Sequence, residues 1–143
     1  MNKTYIQKQN NKSTWFFIDA KNKTLGRLSS QIASTLKNKY SIYYTPYQIN
    51  KSNIIVINAE HIKISGQKKY QKIYYKHSGR PGGLKKETFI QLQKRIPERI
   101  IEKAVKGMLP KNALGRKLFT HLKVYSGPDH PHDAQKPIPL KIK

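Results

Sequence analysis

Two short runs of the chain are apolar at every position: Trp15-Phe16-Phe17-Ile18 and Ile54-Ile55-Val56-Ile57. A strand with one face in water alternates apolar and polar side chains, whereas a parallel strand under helices is apolar throughout. Between the runs, apolar residues recur at spacings of three and four and predict a helix that begins near Thr24. These residues are Leu25, Leu28, Ile32 and Leu36. The first unit is therefore predicted to be strand, helix, strand, with parallel strands.

The middle of the chain gives weaker signals. The alternating piece Ile62-Lys63-Ile64-Ser65 precedes a basic turn at Gly66 to Lys69, and Ile73-Tyr74-Tyr75 follows. This pattern predicts an edge hairpin between the two pieces. The lysines of the turn, Lys68, Lys69 and Lys72, either form a charged edge that blocks further sheet pairing or contact phosphates.

Helices dominate the second half. One apolar stripe ends at Pro97, which starts the next helix, and a second stripe ends at Pro110. The stripes comprise Phe89, Leu92 and Ile96, then Ile101, Ala104, Val105 and Met108. Leu114, Leu118 and Leu122 predict a third short helix, which leads into a last strand at Val124-Tyr125.

The length and the hydrophobic fraction, 143 residues and 36%, fit a single domain covering residues 1–143. Both ends combine Pro, Asn, Gln and Lys with few apolar groups, so residues 1–14 and 128–143 are predicted to be basic tails that order only against a partner. The predicted fold class is α/β, with a central, mainly parallel sheet of about four strands.

The charge of the chain points to its partner. Lys and Arg total 29 against 7 Asp and Glu, a formal net charge of +22. A compact state with this charge repels itself until a polyanion neutralises it, and nucleic acid is the first candidate. Lys supplies 24 of the 29 cations, which favours backbone contact over base reading. An AT-rich genome produces the same excess of Lys, Ile, Asn and Tyr.

Composition also sets exclusions. The chain has no cysteine, so disulfides, thiolate zinc sites and thiol nucleophiles are excluded. The start lacks the apolar core of a signal peptide and the Arg-rich pattern of a transit peptide, and no run approaches the ~20 apolar residues of a membrane span. We therefore expect no membrane partner, and an organelle location would imply synthesis in the organelle.

An enzyme would have to draw on seven carboxylates that form no convincing dyad. Glu98 and Glu102 lie four apart, but negative charge near a helix start is favourable without any catalysis. Asp19, at the end of the first strand, lies where α/β enzymes bind ligands, although Asp is also a common turn residue. A small nucleic-acid-processing enzyme using Asp19 is one alternative, and a DNA-compacting protein is another.

Several further motifs suggest ligand contacts. The loop Ser78 to Lys86 is Gly-rich and basic and is predicted to open into a helix that favours phosphate, although it lacks the P-loop spacing. A tyrosine cluster among lysines fits either base stacking or core packing. Its members are Tyr40, Tyr43, Tyr44 and Tyr47. His130-Pro131-His132-Asp133 lacks the further ligands of a metal site, and the remaining histidines are expected on the surface or in local hydrogen bonds. They are His61, His77 and His121.

One spaced pattern resembles a known family. Val105-Lys106-Gly107-Met108-Leu109-Pro110 is followed by Gly115-Arg116 and by Leu122-Lys123-Val124-Tyr125-Ser126-Gly127. Together they resemble the universal large-subunit ribosomal protein thirteen family of bacterial and plastid type. Supporting segments run through nearly the whole chain: Lys23 to Leu28, Tyr44 to Pro46, Ile57 to Ala59, His77 to Gly79, Gly82-Gly83, Pro97 to Arg99, His130 to His132, and Ala134-Gln135. After Pro46 the chain departs from its bacterial relatives, with Tyr47 instead of His and Asn50 to Asn53 instead of an acidic, Gly-containing turn.

The resemblance implies a three-layer α/β/α domain that binds large-subunit rRNA, acts early in assembly beside other large-subunit proteins, supports translation and has no catalytic role. It implies no cofactor, metal or small-molecule substrate. The AT-biased composition and the unextended start favour a plastid (chloroplast) ribosome, with the cytoplasm of an AT-rich bacterium as the alternative. The resemblance also marks the Gly82-Gly83 loop, the loop from Lys106 to Arg116 and both tails as RNA-facing. The candidate RNA-binding residues are Arg27, Lys37, Lys39, Lys68, Lys69, Lys76, His77, Arg80, Lys85, Lys86, Lys106, Lys111, Arg116, Lys117 and Lys123.

Overall fold

The two apolar runs pair as parallel strands in the computed structural model, which describes residues 13–42, 44–49 and 51–140. β1 (Thr14–Asp19) lies beside β2 (Ser52–Ile57), in register from Thr14 opposite Ser52 to Asp19 opposite Ile57. Helix α1 (Leu25–Leu36) connects them, with Thr24 at its N-cap. The predicted strand, helix, strand unit is confirmed.

Two shorter strands extend the sheet on both sides. β5 (Leu122–Val124) is parallel to β2, and β6 (Ile138–Pro139) is parallel to β1, so the strand order is β5-β2-β1-β6. The α/β class and the mainly parallel, four-stranded sheet are confirmed.

One face of the sheet packs against the helices. α3 (Phe89–Arg95), α4 (Glu98–Met108) and α5 (Ala113–Thr120) follow the predicted stripes, and Pro97 occupies the N-cap of α4. Side chains on alternate positions of a strand share a face. Ile18, Ile54 and Val56 accordingly belong to one buried cluster with apolar residues of α1, α3, α4 and α5.

The predicted edge hairpin has the wrong partner strand. β3 (Ile73–His77) pairs antiparallel with β4 (Leu84–Thr88), and not with residues 62–65. Those residues make a single bridge, Lys63 to Thr24, and the predicted basic turn leads into the one-turn helix α2 (Lys68–Gln71). The Gly-rich loop is therefore the turn of a hairpin. Gly79 and Gly82 have φ of +88° and +72° there, a region that glycine enters without steric cost.

The prediction that the C-terminal segment orders only against a partner is wrong for residues 128–140. β6 lies along β1, and the segment before it, which we call the C-terminal strap (residues 128–137), covers the second face of the sheet. The His130 ring lies 5.6 Å from the Phe17 ring, and the His132 ring lies 5.2 Å from the Trp15 ring. The Tyr125 hydroxyl hydrogen-bonds His132 Nε2 at 2.8 Å. The strap thus packs on the sheet through aromatic rings, and not through the spaced aliphatic residues that predict the other packed segments. The predicted N-terminal tail lies, up to residue 12, outside the described residues.

Gly115 is required by close packing at the start of α5. Its backbone N–H donates to the Asn112 side-chain oxygen that caps the helix, at 2.9 Å. A Cβ at this position would overlap the Pro110 carbonyl oxygen. By contrast, a Cβ at Gly127 would meet open space.

Replacing Gly115 by Ala is therefore expected to lower the free energy of unfolding by about 1–3 kcal/mol, because the added methyl group must displace backbone. Urea unfolding of the full chain at fixed salt measures this change. The control Gly127→Ala should stay within about 0.5 kcal/mol of the parent. Equal stabilities of the two variants would contradict the conclusion that close packing requires glycine at position 115.

The strap also makes a fluorescence prediction, since Trp15 is the single tryptophan of the chain. Ending the chain after Gly127 should shift the Trp15 emission to the red and lower Tm, because the ring loses its cover. A chain that ends after Leu140 keeps the strap and should retain the parent spectrum. An unchanged emission maximum in the shorter chain would show that the strap does not cover Trp15.

Candidate nucleic-acid interface

Nearly all of the predicted RNA-binding residues lie on the surface. All fifteen are exposed except Lys37, which is half-buried. They fall on the β3–β4 hairpin, around the starts of α1 and α2, around the loop between α4 and α5, on β5, and just after α1.

The tip of the hairpin concentrates positive charge. Lys76 and Lys85 stand directly opposite each other across the two strands. Like charges in this position repel each other unless an anion lies between them. His77 Nδ1 accepts a hydrogen bond from the Gly79 N–H at 2.9 Å, which orients the ring at the turn. Because the loop leads into β4, the predicted phosphate site at a helix start is wrong here, while the cations remain available to an anion.

The outer side of the hairpin combines a ring with a cation. Lys86 Nζ lies 5.9 Å from the centre of the Tyr75 ring, and Tyr75 is 56% exposed. Ile73 and Leu84 are exposed on the same side. An aromatic face beside a lysine can stack on an unpaired base while the lysine meets a phosphate.

The inner side of the hairpin packs on the body through Tyr74. Two ammonium groups flank this ring, Lys72 Nζ at 5.5 Å and Lys103 Nζ at 5.0 Å from its centre. Burial raises the pKa of the Tyr74 hydroxyl. The ring therefore holds two lysines from distant parts of the chain at one place.

These two lysines line a cleft, which we call the basic groove. It has a volume of about 650 Å³ and lies between the start of α1, residues 63–72 and the last turns of α4. Its cations are Arg27, Lys63, Lys68, Lys72 and Lys103. None of the described residues that line it is acidic. Lys63 and Lys103 were missed by sequence reasoning, because each stands alone among non-basic neighbours and carries no local motif.

A second, smaller cleft lies where the family-like motif folds on itself. It has a volume of about 290 Å³, with Leu109, Pro110 and Phe119 as its apolar wall. Its cations are Lys106, Lys111 and Arg116. Lys106 Nζ lies 5.9 Å from the centre of the Phe119 ring. The motif from Val105 to Arg116 thus forms an apolar cleft with a cationic rim.

The tyrosine cluster is exposed rather than buried at the positions that the structure describes. Tyr40, Tyr44 and Tyr47 are 75%, 38% and 65% exposed. Tyr44 and Lys37 line a further cleft of about 200 Å³ beside Pro110. Tyr43 and Asn50 lie outside the described residues. The exposed tyrosines favour the base-stacking interpretation over core packing.

Asp19 has a structural partner at the end of β1. Its carboxylate accepts hydrogen bonds from the Asn58 side chain at 2.9 Å and from the Lys21 N–H at 2.9 Å. Partial burial alone raises its pKa, but these hydrogen bonds and the charges of Lys21 and Lys23 outweigh it and leave the pKa below its usual value. The carboxylate thus ties the loop after β1 to the loop after β2.

The histidines have local partners. His121 Nδ1 hydrogen-bonds the Asn53 side chain at 2.8 Å, and burial followed by the charge of Lys123 lowers the pKa of His121. His61 lies 3.3 Å from Glu60. Within residues 13–42, 44–49 and 51–140 no three His, Asp or Glu side chains are grouped for metal binding. No helix in this part of the chain is long and apolar enough to cross a bilayer.

Fold and surface together define a class, a basic α/β domain whose cations line clefts and a protruding hairpin. The comparison with known families is then specific: the sequence model of the family described as Ribosomal protein L13 matches residues 13–131. The chain belongs to the ribosomal protein L13 family, and it is a structural component rather than an enzyme.

Relatives match over nearly the whole chain. "Large ribosomal subunit protein uL13" of Trichormus variabilis is 56% identical over 143 residues, covering 99% of this chain and 95% of the relative. "Large ribosomal subunit protein uL13c" of Pyropia yezoensis is 61% identical over 137 residues, or 96% of each chain. The Thermosynechococcus vestitus protein is 62% identical over 128 residues, 90% of this chain and 84% of the relative.

Replacing Asp19 by Ala is expected to lower the free energy of unfolding at pH 7 by about 0.5–1 kcal/mol, because the Asn58 hydrogen bond is lost. The folded-state pKa of Asp19 is depressed, so its contribution is present above the unfolded pKa of about 4 and disappears as the pH falls through the folded value. Thermal unfolding of the parent and the variant between pH 7 and pH 2 measures whether their stabilities become equal as the pH falls. Asp129→Ala, which removes an exposed carboxylate, is the control, and a difference that persists at pH 2 would contradict the role.

Proposed function

We propose that this protein is a structural constituent of the large ribosomal subunit that binds and stabilises large-subunit rRNA, acts early in assembly and supports translation. The observation that carries the proposal is family membership over nearly the full chain, since the relatives are named as large-subunit proteins. Neighbouring large-subunit proteins are its expected protein partners.

The mechanism is electrostatic clamping by a rigid body. The sheet and helices hold the hairpin, the basic groove and the apolar cleft in fixed positions on one domain. Where RNA helices converge on these sites, cations among the 29 of the chain contact their phosphates. Each contact neutralises a phosphate and releases the counterions condensed on it. Exposed Tyr75 and half-buried Phe119, each beside a lysine, suit unpaired bases better than a regular duplex.

The proposed location is a plastid ribosome, with the protein synthesised in the organelle. A bacterial cytoplasm is the alternative. The relative from Pyropia yezoensis carries the name uL13c and is 61% identical, while relatives from cyanobacteria reach 62%. The AT-biased composition agrees with both sources. Immunogold labelling of the source cells separates the two locations.

Sedimentation of a native extract on a sucrose gradient tests the assignment directly. The protein should move with the large subunit at moderate and high salt, because buried electrostatic contacts are screened less than exposed ones. Recovery among free soluble proteins at both salts would overturn the assignment. Duplex DNA competing as well as rRNA at matched salt would favour the DNA-compacting alternative.

Replacing Lys85, Lys86, Lys111 and Arg116 together by Ala is expected to weaken binding to large-subunit rRNA. The slope of log affinity against log salt should fall in magnitude by about 3, because each phosphate contact contributes about 0.7–0.9. Filter binding between about 50 and 200 mM salt gives both quantities.

The matched control replaces four exposed lysines elsewhere, Lys21, Lys23, Lys51 and Lys94, and removes the same charge. Circular dichroism shows whether both variants keep the fold. An equal loss of affinity in the two variants would mean that net charge alone governs binding, and the choice of sites would be wrong.

A further inference from the structure

The basic groove collects charge from parts of the chain that are remote in sequence. Arg27 comes from the first turn of α1, Lys63 and Lys68 from the segment after β2, and Lys103 from α4. Lys72 and Lys103 are both held against the Tyr74 ring. Five cations around one cleft, with no acid among the described lining residues, repel each other unless anions enter.

Two glycines open the walls of the same groove. Gly26 lies in the first turn of α1 and Gly107 in the last turn of α4, and both line the groove. A Cβ at either position would meet no atom within 4 Å beyond its own helix backbone and chain neighbours. Internal packing therefore does not require glycine here, unlike at Gly115, where a Cβ would overlap Pro110. Glycine is less favourable than alanine within a helix, so the bare backbone suits a ligand that approaches closely.

The end of α1 that faces the groove is suited to a negative charge. Thr24 makes no side-chain capping hydrogen bond, and the first turn of the helix carries no acidic residue. The 42%-exposed Met108 adds apolar surface beside the cations. Cations beside apolar surface match the alternation of phosphate and ribose along an RNA backbone.

We propose that the basic groove holds a bent stretch of RNA backbone, whose phosphates contact the five cations and whose sugars pass directly over Gly26 and Gly107. The inference rests on the proposed rRNA binding and specifies its site. The groove makes the RNA backbone approach the protein backbone more closely than side-chain contacts at the hairpin allow.

The glycines provide a test in which stability and binding move in opposite directions. The variants Gly26→Ala and Gly107→Ala should each keep the Tm of the free protein or raise it by about 2 °C, because alanine favours the helix and meets no neighbour. Combined, they should weaken binding to large-subunit rRNA of Trichormus variabilis, transcribed in vitro, by about tenfold or more, since the added methyl groups occupy the path of the RNA. Ser34→Ala, a helical change on α1 outside the groove, is the control and should leave affinity unchanged.

A charge variant tests the same groove independently. Lys63→Gln with Lys103→Gln should reduce the magnitude of the salt slope by about 1.5, the value for two phosphate contacts. The control pair, Lys51→Gln with Lys94→Gln, removes the same charge from exposed positions outside the groove. We expect the salt slope of rRNA binding to change less in the control pair than in the groove pair.

The outcomes separate this inference from the function on which it rests. If the parent protein binds rRNA and the groove variants bind as well as their controls, the groove is not an RNA site, while the proposed function stands. If the parent does not bind rRNA at any salt, both fail. Binding of inorganic tripolyphosphate tests whether the groove instead holds a free small polyphosphate. If the glycine variants lose tripolyphosphate binding but bind rRNA as the parent does, the groove is a polyphosphate site and the RNA assignment is overturned.

Discussion

The parallel pairing of β1 with β2 is the contact on which the rest of the structure depends. Ile54, Ile55 and Val56 are completely buried, so β2 is covered on both faces and flanked by a strand on each side. Because α1 must connect the two strands and return to the same end of the sheet, its position follows from this pairing. α4 then packs on α1 through the shared apolar cluster, which sets the width of the groove between them. A shift of one residue in the β1–β2 register would turn every side chain of a strand to the opposite face.

Electrostatic repulsion is the opposing constraint. A net charge of +22 on 143 residues works against compaction, and the described ion pairs relieve little of it. Arg95 of α3 and Glu87 of β4 form one such pair, at 2.6 Å between Nη2 and Oε1, but it lies at the surface, where salt screens it. The surface instead keeps lysines opposite or beside each other, as at Lys76 and Lys85. Such an arrangement is stabilised by binding a polyanion, which links the stability of the domain to its occupancy by RNA.

Local patterns predicted the helices and the central strands well and the pairing of short segments poorly. The stripe from Leu25 to Leu36 and the run from Ile54 to Ile57 signal their structures through periodicity alone. Ile62 to Ser65 alternates like a strand, yet only Lys63 forms a bridge, because Ile62 is buried in the main core and the edge partner of β3 is β4. β6 has two residues, one of them Pro139, and no periodicity can reveal a strand that short. The strap is held by rings of Trp15, Phe17, His130 and His132, whose contacts cross more than one hundred positions of sequence.

The sequence by itself determined the α/β class, the order of the main elements, the polyanionic nature of the partner and the resemblance to a ribosomal family, because each depends on local periodicity, summed charge or a linear motif. Only the tertiary structure decided where the cations meet. Lys63 and Lys103 lie forty positions apart, and each is unremarkable in its own segment. They share a groove because α4 packs beside α1 and because Tyr74 gives Lys103 a ring to lie against. Packing of distant apolar faces, which no local pattern encodes, therefore decides which of the many lysines can act together on one ligand.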